Sequence, residues 1–224
     1  GTCLRTSAVN AALANGMLAH ADETDDSHAP SRTHPGCAVV PAALAIAERQ
    51  HASGEQFLRA VVLGYDVCAR VNHALGAEAL AAASHSTHSI GGIFGAGAAA
   101  GALLRLDAGQ VRHLLSYCAQ QASGVACNVR DTEHVEKAFD FGGMPARNGV
   151  TAATMVAAGF TGVDDVFSGE RNFLEAYSAS PDPAQLIEGL GERFDILATN
   201  IKKWSVGSPA QSALDALTHL MAGA

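Results

Sequence analysis

Bulky side chains are scarce in this sequence. Aromatic residues make up 5% of 224 positions and tryptophan occurs once, against 48% hydrophobic residues overall and 23 glycines. A chain rich in alanine and glycine buries surface most readily by packing helices through small contact faces, so the composition predicts a mostly helical protein. Long apolar runs are missing too. "AVVPAALAIAE" and "GIFGAGAAAGALL" are too short and too small in side-chain volume to cross a bilayer, which argues against a membrane protein. Cation clusters are absent, and the formal charge is −8; nothing here can neutralise a phosphate backbone, which excludes nucleic acid as a partner. The five cysteines (3, 37, 68, 118 and 127) are odd in number and show no CxxC spacing. Neither a disulfide framework nor a thiolate zinc site is indicated, and a reducing, cytoplasmic compartment is the expectation. No signal peptide opens the chain, which begins at Gly1 without a start methionine and stops at "LTHLMAGA" inside a helical pattern; both ends read as cut.

What is present is organised around helices. Residues 7–20 read as a helix with a small-residue face, and 38–50 as a second with Pro41 near its start. Ser53-x-x-Gln56 has the form of a capping box for a helix running to about Leu75, with Phe57, Val61, Tyr65 and Cys68 on one stripe. Asp107-x-x-Gln110 starts another, with Leu114, Leu115 and Cys118 inward. The glycines at 91, 92, 95, 97 and 101 suit a helix closely approached by its neighbours, either a buried central element or one lying under a ligand. Near residue 180 the texture changes: "SPDP" reads as a linker, followed by a short β-like segment and a helix launched near Ser208-Pro209. The division expected is a helical domain over 1–180 and the beginning of a mixed α+β domain over 181–224.

Chemistry concentrates in "HADETDDSHAPSRTHPG", residues 20–36. A metal reading would use His20, Asp22, Asp25, Asp26, His28 and His34, but the spacing matches neither H-E-x-x-H nor an EF-hand loop. A solvated loop would account for the residue types alone. Against that stand a second histidine cluster, "SHSTHS", and lysines beside aromatic residues at Lys137 ("EKAFDFGG") and Lys202-Lys203 ("NIKKWS"). Histidines that titrate near neutrality, with lysines to hold carboxylates, suit proton abstraction next to a carboxylate and loss of a β-substituent.

Four stretches, taken in order, resemble the MmgE/PrpD family, which includes 2-methylcitrate dehydratase and cis-aconitate decarboxylase: "AALANGMLAHADETDDSHAPSRTHPGCAVVPAALAIAE", "SGEQFLRAVVLGYDVCARV", "HSTHSIGGIFGAGAAAGALLRLD" and "QQASGVACNVRDTEHVEKAFDFGGMPARNGVTAATMVAAGFTG". The resemblance covers essentially the whole chain. It implies an all-helical domain followed by a smaller α+β lid, here truncated, a homodimer, a small di- or tricarboxylate substrate, and no metal or organic cofactor.

The family's acidic D-x-D-D-T stretch falls on Glu23, Asp25, Asp26 and Ser27, with glutamate in place of aspartate and serine in place of threonine. Its H-P-[GS] falls on His34-Pro35-Gly36, its central lysine on Lys137 and the lysine at the start of the lid on Lys202. The histidine ahead of the glycine-rich helix matches His85, with His88 a rival one register away. After Trp204 the chain runs "SVGSP" where several relatives carry histidine or cysteine. The expected roles are proton transfer by His34 and His85 with Lys137 steadying charge. Glu23, Asp25, Asp26, Ser27, His88 and Lys202 are expected to line the substrate pocket. Orientation of histidines is the role expected for Asp25 and Asp26, because carboxylates facing a carboxylate substrate would repel it. The activity expected is a 2-methylcitrate dehydratase-like lyase. Decarboxylation of the cis-aconitate kind, epimerisation, or an inactive helical binding module are the alternatives.

Overall fold

Local capping chemistry sets most of the helix boundaries in the computed structural model, which describes residues 4–223. Ser7 accepts a hydrogen bond from the Asn10 amide and starts α1 (Ala8–His20). Pro35, pre-set for a helix by its ring, starts α2 (Pro35–Gln50). Pro41 therefore lies inside the second turn, a correction to the later start expected from sequence. The Ser53/Gln56 box closes reciprocally at the head of α3 (Gly54–Leu75), followed by the short α4 (Ala77–Ala82). Ser86 caps the glycine-rich α5 (Thr87–Leu103), and the Asp107/Gln110 box caps α6 (Ala108–Gln121). A single turn, α7 (Val135–Ala138), runs directly into a π-helical turn over Phe139–Gly143 and then into α8 (Met144–Ala157). α9 (Phe173–Tyr177) and α10 (Gln211–Ala222) complete the helices.

The described residues are 65% helical with almost no strand, the architecture that the scarcity of bulky residues predicts. α5 is the central element, packed on α3, α8 and α2. Its glycines permit this. A Cβ built on Gly95 would stand 2.5 Å from the Gly64 carbonyl of α3, closer than atoms tolerate, so the two backbones meet with no side chain between them. A second close approach fixes the site: a Cβ on Gly16 of α1 would lie 2.6 Å from the Gly142 carbonyl in the π turn. The core that results joins Ile46, Leu75, Ile90, Ile93, Phe94 and Leu114, all with at most 1% exposure. No helix among the described residues is long and apolar enough to cross a membrane. Cys3 lies outside the described residues; the other four cysteines are free thiols, three of them buried.

Residues 182–200 return across α3 as a strap. The buried Arg70 guanidinium, paired with Asp66 at 2.6 Å, donates to the backbone carbonyl of Glu188 at 2.8 Å and to those of Gln185, Leu186 and Arg193 at 3.5 Å. Asp195 lies 3.6 Å from His28 and 3.9 Å from His73. The β-like segment expected here is instead a 3-10 turn over Asp195–Ala198 and one antiparallel bridge, Ser27 with Asn200. Asp195 accounts for the difference: its backbone N–H donates to the Asp66 carboxylate rather than to a neighbouring strand.

Candidate active site

α1 ends at His20 and the acidic loop follows at once, so the loop is launched from the point where Gly16 lets α1 touch the π turn. Glu23 takes a left-handed backbone conformation (φ 54°) that returns its side chain to the body. Its carboxylate meets the Lys137 ammonium in an ion pair and stands 3.6 Å from His134. Asp25 is held from two sides, by His20 Nδ1 at 2.8 Å and by Lys202 Nζ at 3.3 Å, and Lys202 also donates to the Glu23 carbonyl at 2.8 Å. The Lys202 and Asp25 side chains are 4% and 5% exposed. Asp26 turns the other way: its carboxylate accepts from the Gly36 amide at 3.1 Å, satisfying a free donor in the first turn of α2, and sits beside the Tyr65 hydroxyl.

Three imidazoles gather around one benzene ring, with a fourth stacked behind. Phe141, supplied by the π turn, is stacked on His88 at 3.6 Å between centroids and lies 4.5 Å from His20 and 5.7 Å from His34. His34 stacks on His88 at 4.9 Å and His134 on His20 at 5.2 Å. Lys137 Nζ stands 5.3 Å over the Phe141 ring. A π turn inserts one residue into the helical register, and here it places Lys137 and Phe141 on the same site.

Protonation follows from these contacts. Burial would raise the Asp25 carboxyl, but the hydrogen bond from His20 and the charges of His20, His34 and Lys202 outweigh it and hold the group at about 2. Glu23 is likewise depressed by Lys137 against the opposing effect of burial. Asp26 is raised by burial. Burial lowers His34 and, more strongly, His88, so both imidazoles are neutral at pH 7. His34 Nδ1 contacts the Asp26 carbonyl, which can only accept, so Nδ1 carries the proton and Nε2 keeps its lone pair.

Of the residues predicted from sequence, His34, His88, Lys137, Lys202, Glu23 and Asp25 therefore converge, with Asp26 behind them. His85 stands apart: its ring packs on Tyr177 at 5.4 Å, and His88 is the histidine that meets His34. The reason is helical register, since His88 is inside the first turn of α5 whereas His85 precedes the Ser86 cap. Ser27 lines an adjoining groove with Lys202 and Trp204 and holds the strap through backbone hydrogen bonds. His20, His134 and Phe141 are members that sequence reasoning did not select; the position of His134 three residues before Lys137 was the available signal.

Among the described residues, two sets of metal-ligand types have atoms within 4.8 Å of one another, His20–Asp25–Cys37 and His20–Glu23–His134. Neither suits a dication. Burial keeps the Cys37 thiol protonated, donating to the His34 and Phe141 carbonyls, and the Lys137 ammonium already occupies Glu23. A groove of about 590 Å³ at the far ends of α2 and α5, against Arg59 and Arg105, contains none of this cluster.

The sequence profile of the MmgE/PrpD N-terminal domain matches residues 1–186. The chain belongs to the MmgE/PrpD family. Members of that family are lyase-type enzymes, dehydratases and decarboxylases among them. The chain is also 28% identical over 230 residues to a cis-aconitate decarboxylase-like protein, oryM, of Aspergillus oryzae (strain ATCC 42149 / RIB 40), an alignment covering 94% of this chain and 46% of that relative. It thus spans less than half the length of the curated MmgE/PrpD relative that it matches, and Lys202 reaches the site from beyond the segment matched by the family profile.

Proposed function

We propose that the site serves a lyase acting on a small di- or tricarboxylate, with dehydration of the 2-methylcitrate kind as the leading activity. The observation that carries this reading is the meeting of Lys137 and Lys202 with a neutral His34 whose Nε2 is free to take a proton. In this reading, the two ammonium groups hold a substrate carboxylate and stabilise negative charge developing at the adjacent carbon, while His34 Nε2 removes the proton from that carbon. His88 is the second imidazole; it takes up a proton as the substrate carboxylate binds and gives that proton to the leaving hydroxyl, which departs as water. Asp25 fixes the His20 tautomer and the position of Lys202, and so acts on the substrate only through them. Decarboxylation is the second reading, favoured by the name of the Aspergillus relative; it needs the same charge stabilisation, with carbon dioxide lost in place of the initial proton. The test is turnover of 2-methylcitrate and cis-aconitate, followed by mass spectrometry, by the wild type and His34→Gln. Product from either acid, reduced about 10²-fold or more in the variant, is expected. No product from either acid, or an unimpaired variant, refutes the assignment.

A further inference from the structure

One cavity outside the lysine cluster still touches it. Of about 170 Å³, it is lined by Arg32, His85, His88, Asn128 and Phe141 together with small neighbours, and none of its lining residues is acidic. That is informative in a chain with 22 acidic and 14 basic residues. His88 and Phe141, whose rings stack at 3.6 Å, both line it, so the cavity shares two residues with the cluster around Lys137. Asn128 is held in place by donating to Asp140 at 2.8 Å, and the buried Asp140 carboxylate also accepts from Ser86, the residue that caps α5.

Arg32 is built into this wall rather than left on a free loop. Its backbone is left-handed (φ 54°), a conformation costly for an arginine and kept only where the surroundings impose it. They do so from both sides: the Arg32 amide donates to Ala29 at 3.1 Å, and its carbonyl accepts from the Thr87 hydroxyl, at the start of α5, at 2.6 Å. Among the described residues no carboxylate lies within ion-pair distance of the guanidinium, as for most arginines of the chain; what sets Arg32 apart is its place in the cavity lining beside His88.

We propose that this cavity is a carboxylate subsite, in which Arg32 holds the distal carboxylate of the substrate while the reacting end extends along His88 toward His34. Arg32 is then a specificity-determining residue that selects acids with at least two carboxylates. The inference rests on the proposed function and assigns to Arg32 the binding of the second carboxylate that its substrate class carries. A planar guanidinium pairs with a carboxylate through two parallel hydrogen bonds, a geometry that the lysines cannot supply. His85, also in the lining, offers a ring N–H donor.

Calorimetric binding of citrate and of propionate to the wild type, Arg32→Ala and Arg32→Lys tests the proposal, with far-UV circular dichroism as the fold control. Because the side chain is exposed, the variants are expected to fold as the wild type does. Arg32→Ala is expected to weaken citrate binding about tenfold or more while leaving propionate unchanged, and Arg32→Lys to recover part of the loss. Citrate binding unaffected by Arg32→Ala, or citrate and propionate weakened equally, overturns the subsite while leaving the lyase reading in place. A wild type that binds neither acid overturns both.

Discussion

Asp25→Asn tests the electrostatic heart of the site. The carboxylate accepts from His20 at 2.8 Å and lies 3.3 Å from the Lys202 ammonium, with 5% of its side chain exposed. On folding its pKa falls from an ordinary 3.8 to about 2. A carboxylate depressed on folding stabilises the native state above its unfolded value and loses that contribution as pH falls through the folded one. At about 1.4 kcal/mol per pH unit, the gap is worth ~2 kcal/mol, present at pH 7 and lost between about pH 4 and pH 2. The asparagine removes this and also leaves a buried ammonium without its counter-charge. Lys202 keeps the Glu23 carbonyl at 2.8 Å, which places the expected loss at pH 7 near ~2–4 kcal/mol, at or below the cost of breaking a buried pair outright. Urea unfolding followed by circular dichroism, repeated from pH 7 to pH 2, reads the difference between the two proteins. That difference should shrink by ~2 kcal/mol over the lower part of the range. Two stability curves running parallel from pH 7 to pH 2 would show that Asp25 is not held as described.

Gly16→Ala gains helix propensity but drives a methyl into the Gly142 carbonyl. Overpacking of ~1–3 kcal/mol exceeds the ~1 kcal/mol propensity gain, so we expect a lower melting temperature by calorimetry, and a raised one would refute the close contact. Citrate binding should take up a proton, because Lys137 and Lys202 are already paired with Glu23 and Asp25 while His88 is held neutral by burial. An arriving carboxylate raises His88, the imidazole that acts as the acid, so affinity falls with rising pH; equal observed heats in phosphate and Tris, two buffers with different ionisation enthalpies, would contradict this.

Helix starts were legible because capping is local: Ser53 with Gln56 and Asp107 with Gln110 are three residues apart and need no tertiary knowledge. The small-residue character of α5 was legible as close packing, but the partner of Gly95 was not, since nothing local points to Gly64. The strap carried a weak sign in Asp66 and Arg70, one turn apart on α3 and both buried. The lysines entered by resemblance to a family, not by spacing. His20 and His134 stayed hidden because their ring stacking depends on the π turn and on the left-handed backbone of His134 (φ 59°), conformations that no residue pattern in "DTEHVEKAFDFGG" specifies. The exchange of His85 for His88 has the same origin: a shift of three residues around the Ser86 cap decides which ring faces Phe141.

The pairing of Asp25 with Lys202 joins positions 177 apart in sequence, and that of Glu23 with Lys137 joins positions 114 apart. Contacts of such long range close large loops, and their entropy is recovered only when the helices between them have already docked. The acidic loop cannot assemble around its lysines in a half-built protein. The expected order is the helical body first and the charged cluster last, so that the two ion pairs close with the final docking of the chain and not by degrees.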